Sequence, residues 1–352
     1  MYFREVGRLR GPHAPAAMPE ELISVVVPVY NEAGNIEPCL RGLWKHLAGT
    51  PHEILVCYDF DEDDTLPAIA AMPDAPPSVR PVKNDLGRGA AFALRAGFAA
   101  ARGDVVVVTM ADLADPPEPI RDMARLVRQR RLAVVCGSRY MRGGSQSGGP
   151  WLKSTLSRVA CLALRWVAGM GTHDATNNFK AYSASFLERT AIQSDQAFDI
   201  ALELATKAHL AGEGVGEVPT SWVDRSAGDS RFRVWAWMPS YLRWWLRAMA
   251  APLVVWAAFA LLALGAFAGP PSPAVGAAAT AGMVAAAAVC LLLVRRSRGR
   301  MLFADVLIPL VWILLRAFRG PGALGLPPPA TAALLGPIAA WLLSRRGGRP
   351  RA

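Results

Sequence analysis

The sequence predicts an α/β domain built on a doubly wound sheet, followed by an interfacial helix and C-terminal transmembrane helices. Three observations carry this prediction. From Leu22 to Ser138, apolar strand-like runs alternate with segments of helical period. Beyond about Ala250 acids almost vanish, and Ala, Leu, Val and Pro dominate. The net charge of +10 gathers in clusters beside those apolar stretches.

"LISVVVPVY" (Leu22 to Tyr30) is continuous and β-branched, which reads as a strand buried on both faces. Asn31 and Glu32 stand where an N-cap and a first-turn acid belong, and Ile36, Leu40, Leu43 and Leu47 then recur at helical spacing. The unit repeats. "HEILVCY" is a strand, Leu66 to Met72 a helix, "SVRPVK" a strand, "GRGAAFALRAGFAAAR" a helix and "DVVVVTM" a strand. Glu118 to Arg130 is then a helix and "LAVVCGS" a strand. Such a sheet places its cleft at the carboxyl ends of the strands.

The runs 252–269 and 274–294 are uncharged and each about 20 residues long, enough to cross a bilayer core. The runs 302–318 and 324–343 are expected to form a second hairpin, with interfacial or re-entrant segments as the alternative, since Asp305, Pro309 and Pro337 interrupt them. Arg243 and Arg247 before the first span, and "RRSRGR" after the second, put both flanks and the α/β domain in the cytoplasm by the positive-inside bias. Residues 235–250 interleave Trp and Tyr with Arg, the composition of a helix at headgroup level; packing on the soluble domain is the alternative. The charged residues 1–20 lack the pattern of a cleaved leader and read as an extension.

Positive charge calls for an anionic partner, and its placement beside apolar stretches favours a membrane surface or a phosphorylated substrate over nucleic acid. Five scattered cysteines without a C-x-x-C pair read as reduced packing residues. "GRGAAF" puts Phe92 where a dinucleotide fingerprint needs its third glycine, and there is no phosphate loop of the G-x-x-x-x-G-K-[ST] type and no H-E-x-x-H.

What the strand ends offer instead is acid. Tyr30, Asn31 and Glu32 end the first strand, "YDFDEDD" (Tyr58 to Asp64) the second, and Asp112 with Asp115 the fourth. Carboxylates facing one cleft suit Mg²⁺ or Mn²⁺ shared with substrate phosphates, or a bound base and ribose.

These motifs resemble family 2 glycosyltransferases of GT-A fold, in the branch of dolichol-phosphate-mannose synthases and polyprenyl-phosphate glycosyltransferases. The resemblance runs through "VVVPVYNEAGNI", "NDLGRGAAFALRAGFAAARGDVVVVTMADLADPPEPI", "GSRY", "KSTLSR", "TNNFKAY" and "VPTSWVDRSAGDSRF", in order. It implies a mixed sheet of GT-A type in a domain over 21–234, and a membrane-anchored, inverting transfer from a nucleotide sugar to a polyprenyl phosphate. It also implies that Pro28, Tyr30, Glu32 and Asp59 hold the nucleoside, with Gly87 and Ala111 in the donor motifs. Asp112 would reach the metal and donor diphosphate, with Asp115 as second metal ligand. Arg139, Lys153, Ser157, Arg225, Ser230 and Arg231 fall where the family gathers phosphates, and Asp112, Arg139 and Arg225 would serve catalysis.

The chemistry agrees with such a set. Leaving-group charge is neutralised by metal and guanidinium groups, and a phosphate acceptor that is already anionic needs no strong base. The pattern departs from the family at Tyr58, at Ala114 and at Met110, which replaces the first acid of the D-x-D motif. Methionine is a poor ligand for a hard cation, so Asp115, or Asp61 and Asp63, are the acids available to replace it. Another lipid or glycan as acceptor, or a non-catalytic membrane scaffold, are the alternative readings.

Overall fold

A computed structural model describes residues 21–75, 77–195, 198–224, 237–250 and 252–253. The expected extension 1–20, the expected spans beyond 253, and Arg225, Ser230 and Arg231 lie outside the described residues. Among the described residues no helix is long and apolar enough to cross a membrane.

Each element expected up to Ser138 is present: β1 (Ile23–Pro28), α1 (Ala33–Leu47), β2 (His52–Tyr58), α2 (Thr65–Ala70), β3 (Val79–Lys83), α3 (Ala90–Ala100), β4 (Val105–Val108), α4 (Ile120–Arg130) and β5 (Leu132–Ser138). The chain continues through β6 (Ser145–Ser147), α5 (Trp151–Trp166), β7 (Lys180–Ser183), α6 (Ala184–Arg189), α7 (Ile200–Leu210), β8 (Gly214–Pro219) and β9 (Ser221–Val223). A further helix, α8, spans residues 237–250.

The main sheet has the order β3-β2-β1-β4-β7-β5-β8. It is mixed: β7 runs antiparallel to both β4 and β5, and the other pairings are parallel. β1 lies between β2 and β4, so the crossovers diverge there and open a crevice at the carboxyl ends of the strands. The alternation of β1 explains its unbroken apolar sequence. Val25 and Val27 pack with Leu40 and Leu43 of α1 on one face, and Val26 packs with Leu94 and Phe98 of α3 on the other. Helix α3 comes so close that a Cβ on Gly97 would stand 2.3 Å from Val26 Cγ1.

A third apolar cluster joins Cys161 and Leu164 of α5, Leu202 and Ala205 of α7, and Trp244 and Ala248 of α8. Trp244 is 2% exposed, and Trp245 Nε1 donates to the Ala160 carbonyl at 3.1 Å. Two of the aromatic residues expected at headgroup level are thus packed on the domain, and Leu242 and Leu246 stay exposed on the same helix. Arg243 and Arg247 stand over the Trp244 ring and donate to Gln193 Oε1.

Candidate active site

The crevice begins with the turn after β1. Asn31 adopts a left-handed φ of 53° and does not cap α1, contrary to expectation; the cap position is Glu32, with no side-chain capping bond. The helix start is held from the next loop instead. Asp64 Oδ1 accepts from Ala33 N at 3.1 Å, and Thr65 Oγ1 accepts from Glu32 N at 2.9 Å. Asp63, fully buried, accepts from Asn31 N with both oxygens at 3.2 Å and from Thr65 N at 2.9 Å. A carboxylate saturated by backbone N–H groups is structural, which removes Asp63 as a substitute metal ligand. Asp61 pairs with Lys83 at 2.6 Å on the surface.

Tyr30 is 45% exposed at the mouth, edge-on to Phe60 with centroids 5.3 Å apart. Pro28 is buried in β1 beneath it. Asp59, at the end of β2, accepts from Asn84 Nδ2 at 2.8 Å and from Gly89 N at 2.7 Å. The Asn84 amide also donates to the Gly87 carbonyl, so Asp59 organises the loop that starts α3. Gly87 and Gly89 have φ values of 144° and 121°, which only glycine adopts without strain.

β4 delivers the second acidic position. Ala111 is buried, Asp112 is partly exposed, and its Oδ1 accepts from Ala114 N at 3.2 Å in a tight turn whose next residue, Leu113, has φ 60°. Asp115 turns inward, where its Oδ1 accepts from Asn177 Nδ2 at 3.1 Å. Burial pushes the Asp115 carboxyl up to about 7, with the Asp112 charge adding to the rise and the Asn177 hydrogen bond and Arg139 charge opposing it. Beneath the turn, Cys39 Sγ lies 3.9 Å from the Met110 carbonyl. Burial, with the charges of Asp112 and Glu32, pushes that thiol up to about 12.

Among the described residues no three acidic, histidine or cysteine side chains gather as a complete metal cage. The chemistry of the donor set still fits Mg²⁺ or Mn²⁺, since such an ion is commonly held by one or two carboxylates and completed by substrate phosphates. Asp112 is the accessible carboxylate of that set, and Asp115 the inward-facing one.

Across the β4–β7 seam stands the second half of the site. Asp174, fully buried, accepts from Arg139 Nε at 2.6 Å, from Arg139 Nη2 at 3.0 Å and from the Arg139 backbone N–H at 3.1 Å. Burial by itself would raise the Asp174 carboxyl, but the Arg139 charge and hydrogen bonds, with the Lys180 charge, outweigh it and hold the group below its ordinary value. Arg139, expected among the phosphate-gathering residues, is thus paired with a buried carboxylate while its side chain also lines the groove beside α5. Ser157 is engaged too, accepting from Tyr140 OH at 3.2 Å and lying 2.8 Å from Thr176 Oγ1. Lys153 lies on the same helix, one turn earlier.

Sequence reasoning passed over three residues that bind this half together. Lys180 is fully buried and donates to the Ala175 carbonyl at 3.1 Å and to the Asn177 carbonyl. Asn177 bridges Asp115 and the Gly137 carbonyl, both at 3.1 Å, and so ties the turn after β4 to the end of β5. Asp174 completes the set. The signal was available in "DATNNFKAY", where a lysine opens a short strand and an acid stands six residues before it.

Between the 144–149 loop and α5 lies an open groove of about 860 Å³, lined by Tyr140, Gln146, Trp151, Arg158, Val159 and Leu162 among others. The outer face of α5 continues from it with Leu152, Leu156, Val159 and Trp166 exposed, a stripe at helical spacing.

The family model described as glycosyl transferase family 2 matches residues 24–190. Polyprenol monophosphomannose synthase of Mycolicibacterium smegmatis is 30% identical over 219 residues, covering 60% of this chain and 82% of the relative. The chain belongs to glycosyl transferase family 2. As a family 2 member it is a glycosyltransferase. A dolichol-phosphate mannosyltransferase of Pyrococcus furiosus is 28% identical over 213 residues, 60% of this chain and 59% of the relative's length. Among solved structures, glucosyl-3-phosphoglycerate synthase of Mycobacterium tuberculosis, in complex with Mn²⁺, UDP-glucose and phosphoglyceric acid, is 22% identical. It covers 68% of this chain and 86% of the other, with a TM-score of 0.49.

Proposed function

We propose that this family 2 glycosyltransferase moves a sugar, with inversion, from a nucleoside-diphosphate sugar to a polyprenyl phosphate at the cytoplasmic face of a membrane. The observation that carries the reading is the groove beside α5, which joins cationic and hydroxyl-bearing side chains to the exposed apolar face of that helix. An amphiphile with an anionic head and an isoprenoid chain has that sequence of chemistries. Two curated relatives carry names with the same acceptor class, polyprenol monophosphomannose synthase and dolichol-phosphate mannosyltransferase.

In this reading Tyr30, Glu32 and Asp59 define the nucleoside end of the crevice, with Pro28, Gly87 and Ala111 shaping its floor. Asp112, with Asp115 behind it, would hold Mg²⁺ or Mn²⁺, and the ion would neutralise charge on the departing diphosphate. The acceptor phosphate is largely dianionic near neutral pH, so the protein's task is to orient it and exclude water. The β9 segment ties the two ends together: Val223 N donates to the Ala114 carbonyl at 3.0 Å, immediately before the stretch that carries Arg225, Ser230 and Arg231. The exposed Leu242 and Leu246 of α8, and the apolar sequence that follows it, support docking on a bilayer.

The test is a donor panel. Purified protein is incubated with labelled nucleotide sugars, Mg²⁺ or Mn²⁺, and undecaprenyl or dolichyl phosphate in detergent or vesicles. Label in the lipid phase is the expected result. Transfer only to a soluble glycan or to a lipid without phosphate would replace the acceptor class, and no transfer from any common donor would sink the reading.

A further inference from the structure

With Trp244 buried and Trp245 bonded to α5, the outer face of α8 is left to Leu242, Arg243, Leu246 and Arg247, all exposed. The two arginines are one helical turn apart, and both are held in place. Their guanidinium carbons stand 5.0 and 4.4 Å from the centroid of the Trp244 ring. Arg243 Nη2 and Arg247 Nη1 donate to the same atom, Gln193 Oε1, at 3.0 and 3.1 Å. Like charges at this spacing repel, and here they converge on one neutral oxygen. Among the described residues no carboxylate lies within ion-pair distance of either. Lys207 differs: its Nζ is 5.0 Å from the same ring, but its charge is paired with Glu203. A ring face and an amide oxygen attract a cation without neutralising it, so two positive charges remain, oriented and open to water.

A compact anion that accepts from both guanidiniums would offset their repulsion, and a phosphate group matches the planar fork of donors that each presents. The leucines indicate what carries the phosphate. Leu242 and Leu246 each directly precede one of the arginines, so apolar and cationic side chains alternate along one exposed ridge. After Arg247 no charged residue occurs before Arg295, and the sequence between them is apolar. A soluble phosphate ester would engage the arginines and leave the leucines in water, whereas a phospholipid engages both. We infer that Arg243 and Arg247 form a headgroup site for an anionic phospholipid of the bilayer, with Leu242 and Leu246 entering the acyl boundary beside it. None of these residues lines the groove beside α5, so the site is separate from the one assigned above to the acceptor. Trp244 serves as the platform that sets the two guanidiniums, not as a headgroup-level aromatic. The inference rests on the membrane-face reading given above.

The test is calorimetric titration of the full-length protein in neutral detergent with dihexanoyl phosphatidylglycerol, dihexanoyl phosphatidylcholine and inorganic phosphate. Phosphatidylglycerol should bind, less tightly as salt rises, and should raise the thermal midpoint. Phosphatidylcholine, whose headgroup carries no net charge, should bind roughly tenfold or more weakly. The double variant Arg243→Gln, Arg247→Gln should lose roughly tenfold or more of the phosphatidylglycerol affinity and the midpoint shift. Arg243→Lys with Arg247→Lys, which keeps both charges, should retain part of each. Leu242→Asn with Leu246→Asn should weaken phosphatidylglycerol and leave the response to inorganic phosphate unchanged. Equal affinity for phosphatidylglycerol in wild type and the glutamine pair would overturn the site. Inorganic phosphate bound as tightly as the lipid would give the arginines to a soluble phosphate ester instead. A wild-type dimer on light scattering that dissociates in the leucine variant would give the ridge to a second copy of the chain. Sugar transfer to polyprenyl phosphate, assayed on the same wild-type sample, reports the parent reading separately. Lipid binding without transfer would remove that reading and keep the site; transfer without headgroup preference would remove the site alone.

Discussion

Arg139 and Asp174 meet through three hydrogen bonds of 2.6, 3.0 and 3.1 Å, with the carboxylate fully buried and the arginine side chain 12% exposed. Removing one partner strands the other charge in a region of low polarity, so Asp174→Asn should cost about 3–5 kcal/mol at pH 7 in denaturant unfolding. The sign of the pH dependence follows from the lowered carboxyl. The unfolded group titrates near ~3.9 and the folded one below it, so the contribution is fully present above the unfolded value and is lost as pH falls through the folded one. The gap between wild type and Asp174→Asn should therefore be constant above about pH 5 and narrow below about pH 4. A gap that widens on acidification would contradict the pairing.

Asp63 should behave as a scaffold residue. In Asp63→Ala the N–H groups of Asn31 and Thr65 lose their acceptor, at about 1–3 kcal/mol for each group left buried and unsatisfied. Donor affinity should fall with stability, since the Tyr30–Glu32 turn is what the carboxylate holds. Calorimetry with a nucleoside diphosphate and a thermal melt on the same sample check both; unchanged stability would rule out the structural role.

Asp112→Asn separates chemistry from architecture. The amide can still accept from Ala114 N, so stability should shift by no more than about 0.5 kcal/mol. Transfer should fall about 100-fold or more if the carboxylate supports charge stabilisation at the diphosphate. Mn²⁺-dependent binding of the nucleoside diphosphate should be lost with it, and retained transfer would move the role to another residue.

The cysteines offer a check on the core. Cys39, Cys57, Cys136 and Cys161 are buried, and burial pushes the thiols of Cys39 and Cys57 up to about 12 and that of Cys136 up to about 11. All four should resist iodoacetamide at pH 8 in the native protein and react after unfolding. Mass spectrometry of labelled peptides reads this directly, and native labelling of Cys39 would place solvent beneath the Met110 turn.

The first half of the sheet was legible because its signals are local. Apolar runs alternating with helical periods identified each element up to Ser138, and the acids stand at the ends of its strands. What each acid does there was not legible. Asp63 and Asp59 have the composition of ligands, but Asp63 holds the N–H groups of Asn31 and Thr65, and Asp59 the Asn84 amide and the Gly89 N–H, a set that no spacing rule reveals. The half of the site beyond β5 was harder for the same reason. The partner of Arg139 is Asp174, thirty-five residues away, and no local pattern joins the two. The antiparallel entry of β7, only four residues long, has no periodicity of its own to announce its direction.

That reversed strand fixes a boundary useful to an engineer. Lys180 is paired with Val108 of β4 on one side and Cys136 of β5 on the other, while Ser138 ends the neighbouring strand. Residues 139–179 leave and return to the sheet at two anchored points, and they contain Arg139, Arg158, Asp174 and the whole of α5. The internal ion pair travels with this segment, which keeps three ties to the rest of the domain: Asn177 to Asp115, β6 to β9, and α5 to α7 and α8. Grafting the corresponding segment of a relative between Ser138 and Lys180 should therefore give a stable fold only where the donor segment supplies an equivalent of Asn177 for Asp115 and a strand that pairs with β9.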